Sequence, residues 1–110
     1  MREEKMETLI TAKSYIDNLK DGVEKAFNYI YEGKEEKAIS IMPHFAEGME
    51  WLSQVLYLTK DVHREKINIE SINETLNEVV EALENSDYTL VGDLLNYEVY
   101  PLLDEIKNKV

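Results

Sequence analysis

Apolar residues recur at steps of three and four along the whole chain and nowhere keep the strict alternation that a strand requires. The sequence therefore reads as all-α. Leu9, Ile16, Val23 and Ile30 return every seven residues, with Ala12, Leu19 and Ala26 three further on. That spacing is the seam of a helix lying nearly in line with its neighbours, and it predicts a first helix over about 2–32. Gly33 supplies a residue able to take the left-handed conformation that ends a helix, and a second begins at Lys34. So short a link forces an antiparallel return. The second helix carries Ala38, Ile41, Met42, Phe45, Met49, Leu52, Val55 and Leu56 on one side and runs to about residue 59. Pro43 lies inside it. A proline lacks the backbone donor and presses on the carbonyl four residues earlier, so a kink near 39–42 or a restart at Pro43 is expected, with Gly48 easing the bend.

Residues 60–66 show no clear apolar face and read as the longest loop, at one end of the molecule. A third helix starts near Asn68 or Ser71, the latter because Glu74 three residues on completes a capping box. Its stripe is Ile69, Ile72, Leu76, Val79, Val80 and Leu83. The run Asn85-Ser86-Asp87 reads as a turn in which Ser86 or Asp87 caps a fourth helix carrying Val91, Leu94, Leu95, Val99, Leu102, Leu103, Ile106 and Val110. Pro101 falls within this helix and should free the carbonyl of Tyr97, bending the chain at 97–100.

The first hairpin also maps onto the second. With Ile16 set on Ile69, the positions Leu19, Val23, Ala26, Phe27 and Ile30 fall on Ile72, Leu76, Val79, Val80 and Leu83, and Ala38, Ile41 and Met42 fall on Val91, Leu94 and Leu95. Any two amphipathic hairpins with short turns would align in this way, and the architecture is the same for either origin. The expectation is an up-down-up-down antiparallel four-helix bundle built from two similar helical hairpins. They occupy about 2–59 and 68–109, joined by a loop at 60–67, within a single domain spanning 1–110.

Charge narrows the function. The 110 residues include 12 Lys and Arg against 23 Asp and Glu, a formal net charge of −11. Such an excess repels a phosphate backbone and an anionic membrane surface, so neither nucleic acid nor membrane is an expected partner. No cysteine is present, which excludes disulfides, thiolate nucleophiles and Cys-ligated zinc. The start Met1-Arg2-Glu3-Glu4-Lys5 opens no apolar signal core, so a cytoplasmic location is expected.

The acidic excess has a place. Residues 1–60 hold eight Lys and Arg against eleven Asp and Glu, residues 61–110 four against twelve, and no basic residue stands between Ile67 and Ile106. Glu70, Glu74, Glu78 and Glu81, continued by Glu84, line one stripe of the third helix. Like charges at those spacings weaken a helix by about 0.2–0.5 kcal/mol per pair. Three readings account for the stripe: a solvated face, pairing with Lys13 and Lys20 of the first helix, or a docking surface for a basic partner. Two helices also carry more apolar surface than a stripe needs. Around Trp51, Tyr57 and Leu58 the second helix is apolar nearly all round, and Leu94, Leu95, Tyr97, Val99, Tyr100, Leu102 and Leu103 do the same for the fourth. Such surface suits either an interface with a partner or second copy, or aromatic packing at bundle corners.

Catalytic and metal chemistry find little support. A di-metal bundle site needs Glu three residues before His, and those positions before His44 and His63 hold Ile41 and Lys60. His44, Glu47 and Glu50 would support no more than an adventitious surface ion, so neither metal nor cofactor is expected. No HExxH, GxxxxGK or GxGxxG motif occurs, and no nucleophile has an assigned base. Glu98 falls near the expected core side of the fourth helix, where a carboxylate can act as a base but more commonly pairs with a neighbour. With Pro43, His44 and Tyr97 it defines the one speculative pocket.

The run Asp87-Tyr88, followed by Asp93-Leu94-Leu95-Asn96-Tyr97-Glu98-Val99-Tyr100-Pro101-Leu102, resembles a pattern of small uncharacterised all-helical proteins of Gram-positive bacteria. The resemblance implies a cytoplasmic bacterial helical protein with no assigned enzyme activity, and it carries no catalytic residue across. The small four-helix flagellar export chaperones share the general organisation without their sequence signatures here, an analogy of fold alone. The expected function is a non-enzymatic protein–protein interaction module, adaptor or chaperone-like, with an acidic docking face. The alternatives are a homodimeric structural or regulatory protein and, third, a small enzyme or ligand binder near His44 and Glu98.

Overall fold

Four helices account for nearly all of the structure, a computed structural model that describes residues 2–110. Helix α1 spans Arg2–Tyr31 and α2 spans Glu35–Leu58. A single 3-10 turn, Lys60–Val62, leads through an extended stretch to α3, Ile69–Glu84. The fourth helix runs in three segments: α4 (Tyr88–Leu94), a π-helical turn (Leu95–Val99) and α5 (Tyr100–Lys109). No strand occurs among the described residues.

Both hairpin turns are closed by the same hydrogen bonds. At the end of α1, Gly33 N–H donates to Ile30 and Lys34 N–H to Tyr29, the paired bonds of a Schellman turn with Gly33 at φ 76°. At the end of α3, Ser86 N–H donates to Leu83 and Asp87 N–H to Ala82, with Ser86 at φ 54°. Each donor and acceptor in the second turn stands 53 positions after its counterpart in the first. The hydrophobic register that aligned the hairpins thus extends to their backbone. One difference is energetic: a left-handed serine carries a steric cost that glycine avoids.

The caps decide between sequence alternatives. Asn68, not Ser71, begins α3: its side chain accepts the Ser71 N–H at 3.2 Å, which makes Ser71 an interior residue of the first turn. Asp87 caps α4 by accepting the Leu90 N–H at 3.2 Å. Helix α2 continues unbroken through Pro43, so the restart expected there does not occur. Before Pro101, where a bend is expected, the chain widens into the π turn, in which Tyr100 N–H reaches back to the carbonyl of Leu95. A wide turn bypasses the missing proline donor without interrupting the helix.

Helix α1 packs antiparallel to two neighbours at once. Against α2 and the 3-10 turn that follows it, Lys5 meets Asp61 at 3.1 Å, Tyr15 meets Trp51 edge-on at 4.9 Å, and Leu19 lies beside Gly48. Against the fourth helix, Tyr31 meets Asp93, Phe27 meets Tyr100, Lys20 pairs with Asp104 and Asp17 with Lys107. Leu9, Ile16 and Val23 from α1, Met49, Leu52 and Leu56 from α2, and Leu95, Leu103 and Ile106 from the fourth helix fill the core between them. Val62 of the 60–66 segment is also buried there, so that segment is anchored by an apolar residue the periodicity did not single out. The segment is tied a second time where Glu65 N–H donates to the carbonyl of Lys109. Helix α3 is less enclosed. Ile72, Val79 and Ala82 are buried, whereas Val80, expected in the apolar stripe as the counterpart of Phe27, is 50 % exposed.

Relief of strain at one turn and its creation at the other test the matched turns. Ser86→Gly is expected to raise unfolding free energy by about 0.5–1 kcal/mol, and Gly33→Ala to lower it by about 1 kcal/mol, in urea melts read by circular dichroism. A loss of stability in Ser86→Gly would contradict the left-handed assignment.

Candidate functional site

A wide hollow lies between α2 and α3, which touch each other far less than α1 and α2 do. It encloses about 880 Å³ and is lined on the α2 side by Ile39, Met42, Pro43, Phe45, Ala46, Glu50, Ser53 and Gln54. The α3 side contributes Asn73, Leu76, Asn77, Val79, Val80 and Leu83, and Tyr88 closes one end. Small or polar residues, Ala46 and Ser53 on one side and Asn73 and Asn77 on the other, stand among the bulky apolar ones. They reach less far across the space between the helices than a large apolar side chain would.

None of the lining residues is basic, and Glu50 is among them. The acidic stripe adjoins the groove without forming its floor. Glu81 follows Asn77 by four residues and Glu84 by seven, so both stand beside the α3 rim; Glu74 continues that line one turn earlier, and Glu78 lies on its far side. All four are exposed and none makes an ion pair among the described residues. The expected alternative partner Lys20 is engaged elsewhere: its hydrogen bond to Asp104 holds its ammonium above the ordinary lysine pKa. Glu70 is separated from the others, for it lines a second hollow of about 820 Å³ together with Tyr57, Lys60, Lys66, Glu105 and Lys109. The cations of residues 60–66 therefore gather at one end of a molecule whose α3 carries none.

The apolar surplus does not form one surface. Trp51 packs its ring against Tyr15 and is little more than a third exposed. Tyr57 lies under the Lys60 ammonium, 4.6 Å from the ring centroid, and Leu58 beside it is 67 % exposed. Tyr97 is 71 % exposed on the π turn, while Tyr100 turns inward against Phe27 with Lys20 above its ring. Next to the π turn, Tyr31 donates to Asp93 at 2.9 Å and accepts from Asn96 at 3.3 Å. Burial holds the Tyr31 phenol above its ordinary pKa.

His44 and Glu98 are not brought together. His44 is exposed and borders a small hollow of about 170 Å³ between α1 and α2, lined also by Tyr15, Asn18 and Phe45, whereas Glu98 is exposed on the π turn of the fourth helix. The placement of Glu98 near the core is thus corrected: the π turn rotates it outward while Val99 and Leu95 are buried on either side of it. Pro43 belongs to the large groove instead. Among the described residues no group of three His, Asp or Glu side chains is placed to hold a metal ion, and no helix is long and apolar enough to cross a membrane.

Residues 7–109 match the family described as a domain of unknown function, DUF8042. The chain belongs to this family. No curated protein and no solved structure matches it. Membership of DUF8042 assigns no activity.

A titratable group in contact with a buried partner lies outside the groove. Thr59, the buried polar residue at the end of α2, donates its hydroxyl to the Val55 carbonyl at 2.7 Å and lies 2.9 Å from His63 Nε2. The hydroxyl's single proton is committed, so the network assigns an N–H to Nε2 that donates to Thr59. Burial pushes the His63 pKa below its usual 6.5, partly opposed by Asp61. The unfolded chain then binds the extra proton more readily, so the contribution of His63 is complete above about pH 6.5 and is lost as pH falls through its lower folded value. Urea melts of the wild type and His63→Gln should show a stability difference that moves against the wild type between pH 7 and pH 5; a difference independent of pH would contradict this.

Proposed function

We propose that the protein is a non-enzymatic interaction module, adaptor or chaperone-like, whose four helices form an up-down-up-down bundle of two similar hairpins left open along the α2–α3 seam. The matched Schellman turns and the antiparallel contacts of α1 support the bundle. One observation carries the functional reading: an apolar groove of about 880 Å³ runs beside a row of exposed, unpaired carboxylates on a helix with no positive charge. Water satisfies those carboxylates in the free protein, and a basic partner would gain both association rate and selectivity from them. The absence of cysteine supports work in a reducing cytoplasm, and the C-terminal resemblance supports a bacterial one.

A homodimer through Leu58 or Tyr97 is the second reading, favoured by their exposure. It is opposed by the repulsion between two chains that each carry −11. Catalysis near His44 and Glu98 has no assembled pair of groups to support it.

Affinity capture from source cells separates these readings. Wild-type protein is expected to retain a partner that is released as salt rises, and Glu74→Lys combined with Glu78→Lys and Glu81→Lys should lose most of it while keeping the wild-type helical spectrum. Equal capture by both proteins would remove the acidic face from the account.

A further inference from the structure

The α2–α3 groove is open along the length of two helices, and its walls state what would fill it. From Ile39 to Gln54 along α2 and from Asn73 to Leu83 along α3 the walls run for about 22 and about 15 Å. That is room for three to four turns of another helix, about 10–15 residues. The floor is apolar, made by Met42, Phe45, Leu76, Val79 and Leu83. The rims are acidic on both sides. Glu50 lines the α2 wall, and Glu36 and Glu47, seven residues before Pro43 and Gln54 respectively, share its outer face and are exposed. Glu74, Glu81 and Glu84 flank the α3 wall. The nearest cation on α2, Lys37, is turned to the other side, with its ammonium 5.7 Å from the Tyr29 ring centroid.

We infer that the groove receives an amphipathic α-helix of a partner protein, with an apolar stripe at i, i+3, i+4 and i+7 and Lys or Arg on both flanks. This rests on the interaction-module reading and specifies the partner's chemistry. The apolar stripe covers Val80, Leu76 and Met42, and the flanking cations meet the two carboxylate rims. Charge complementarity excludes the other occupants. A second copy of this chain brings a net −11 toward a groove that is already acidic. A fatty acid or anionic lipid offers the apolar tail with a charge of the wrong sign for every rim residue.

The test uses the full chain and two synthetic helical peptides of about 14 residues with identical Leu and Ile stripes, one flanked by Lys and one by Glu. In fluorescence anisotropy the Lys-flanked peptide is expected to bind at least about tenfold more tightly than the Glu-flanked one, a difference that shrinks in high salt. Backbone NMR shifts should map to Ile39–Gln54 and Asn73–Leu83. Val80→Glu, at a half-exposed position that leaves the core untouched, should weaken binding about tenfold without changing the circular dichroism spectrum, and Glu50→Lys should do so through charge alone. Equal affinity for both peptides, no binding, or shifts centred on Leu58 or Tyr97 would overturn the inference. So would dimerisation in light scattering that Val80→Glu abolishes, or displacement of the peptide by a fatty acid. If the peptides fail while cellular capture still depends on Glu74, Glu78 and Glu81, only the helix-in-groove inference falls. If the Lys-flanked peptide binds in the groove while capture ignores those residues, the broader reading of the acidic face falls instead.

Discussion

Two glycines let α1 lie against α2 and the fourth helix at the same time, and the rest of the fold follows from that. A methyl group on Gly48 would stand 2.6 Å from the Tyr15 hydroxyl and 2.7 Å from Leu19 Cδ2, closer than packed atoms approach. One on Gly92 would stand 3.0 Å from Ile30 Cγ2. With no side chain at either place, both neighbours come close to α1, and their largest apolar groups meet along its single seam. Leu52, Leu56, Leu95 and Leu103 are each fully buried as a result. Helix α3 has no such seat. It is held by its tight turn to α4 and by burial of Ile72, Val79 and Ala82, and a longer link joins it to α2.

That asymmetry connects packing to function. A bundle closed on all sides would bury Val80 and Leu76 and leave the carboxylates of α3 as ordinary solvated surface. Open on one side, it holds an apolar floor between acidic rims, the two features on which the proposed basic, amphipathic partner rests. The cost to α3 is real, since its own glutamates repel one another at three- and four-residue steps. It is offset by burial of Ile72, Val79 and Ala82 and by the Asn68 cap.

Much of this was legible in the residues. Seven-residue recurrence in α1 named its buried positions, and Gly33 and Asp87 marked the turn and cap where they occur. Pro101 announced a disturbance in the fourth helix, though not that the chain would widen into a π turn. What could not be read was the relation between helices. Periodicity fixes a residue's direction about its own axis but not the distance to the next helix, so Val80 fitted the core stripe and yet faces an opening. The groove left only a faint signal, the small and polar residues Ala46, Ser53, Asn73 and Asn77 beside the stripes. Glu98 was misplaced because the π turn shifts every following position by the extra residue it accommodates.

The openness of the α2–α3 seam in solution is the point on which the account stands. Methyl NMR relaxation by a soluble paramagnetic agent measures it directly. Methyls of Ile39, Leu76, Val80 and Leu83 should relax strongly, while those of Ile16, Leu52, Leu95 and Leu103 stay protected. Equal protection of both sets would mean that the seam is closed, and the docking groove would not exist.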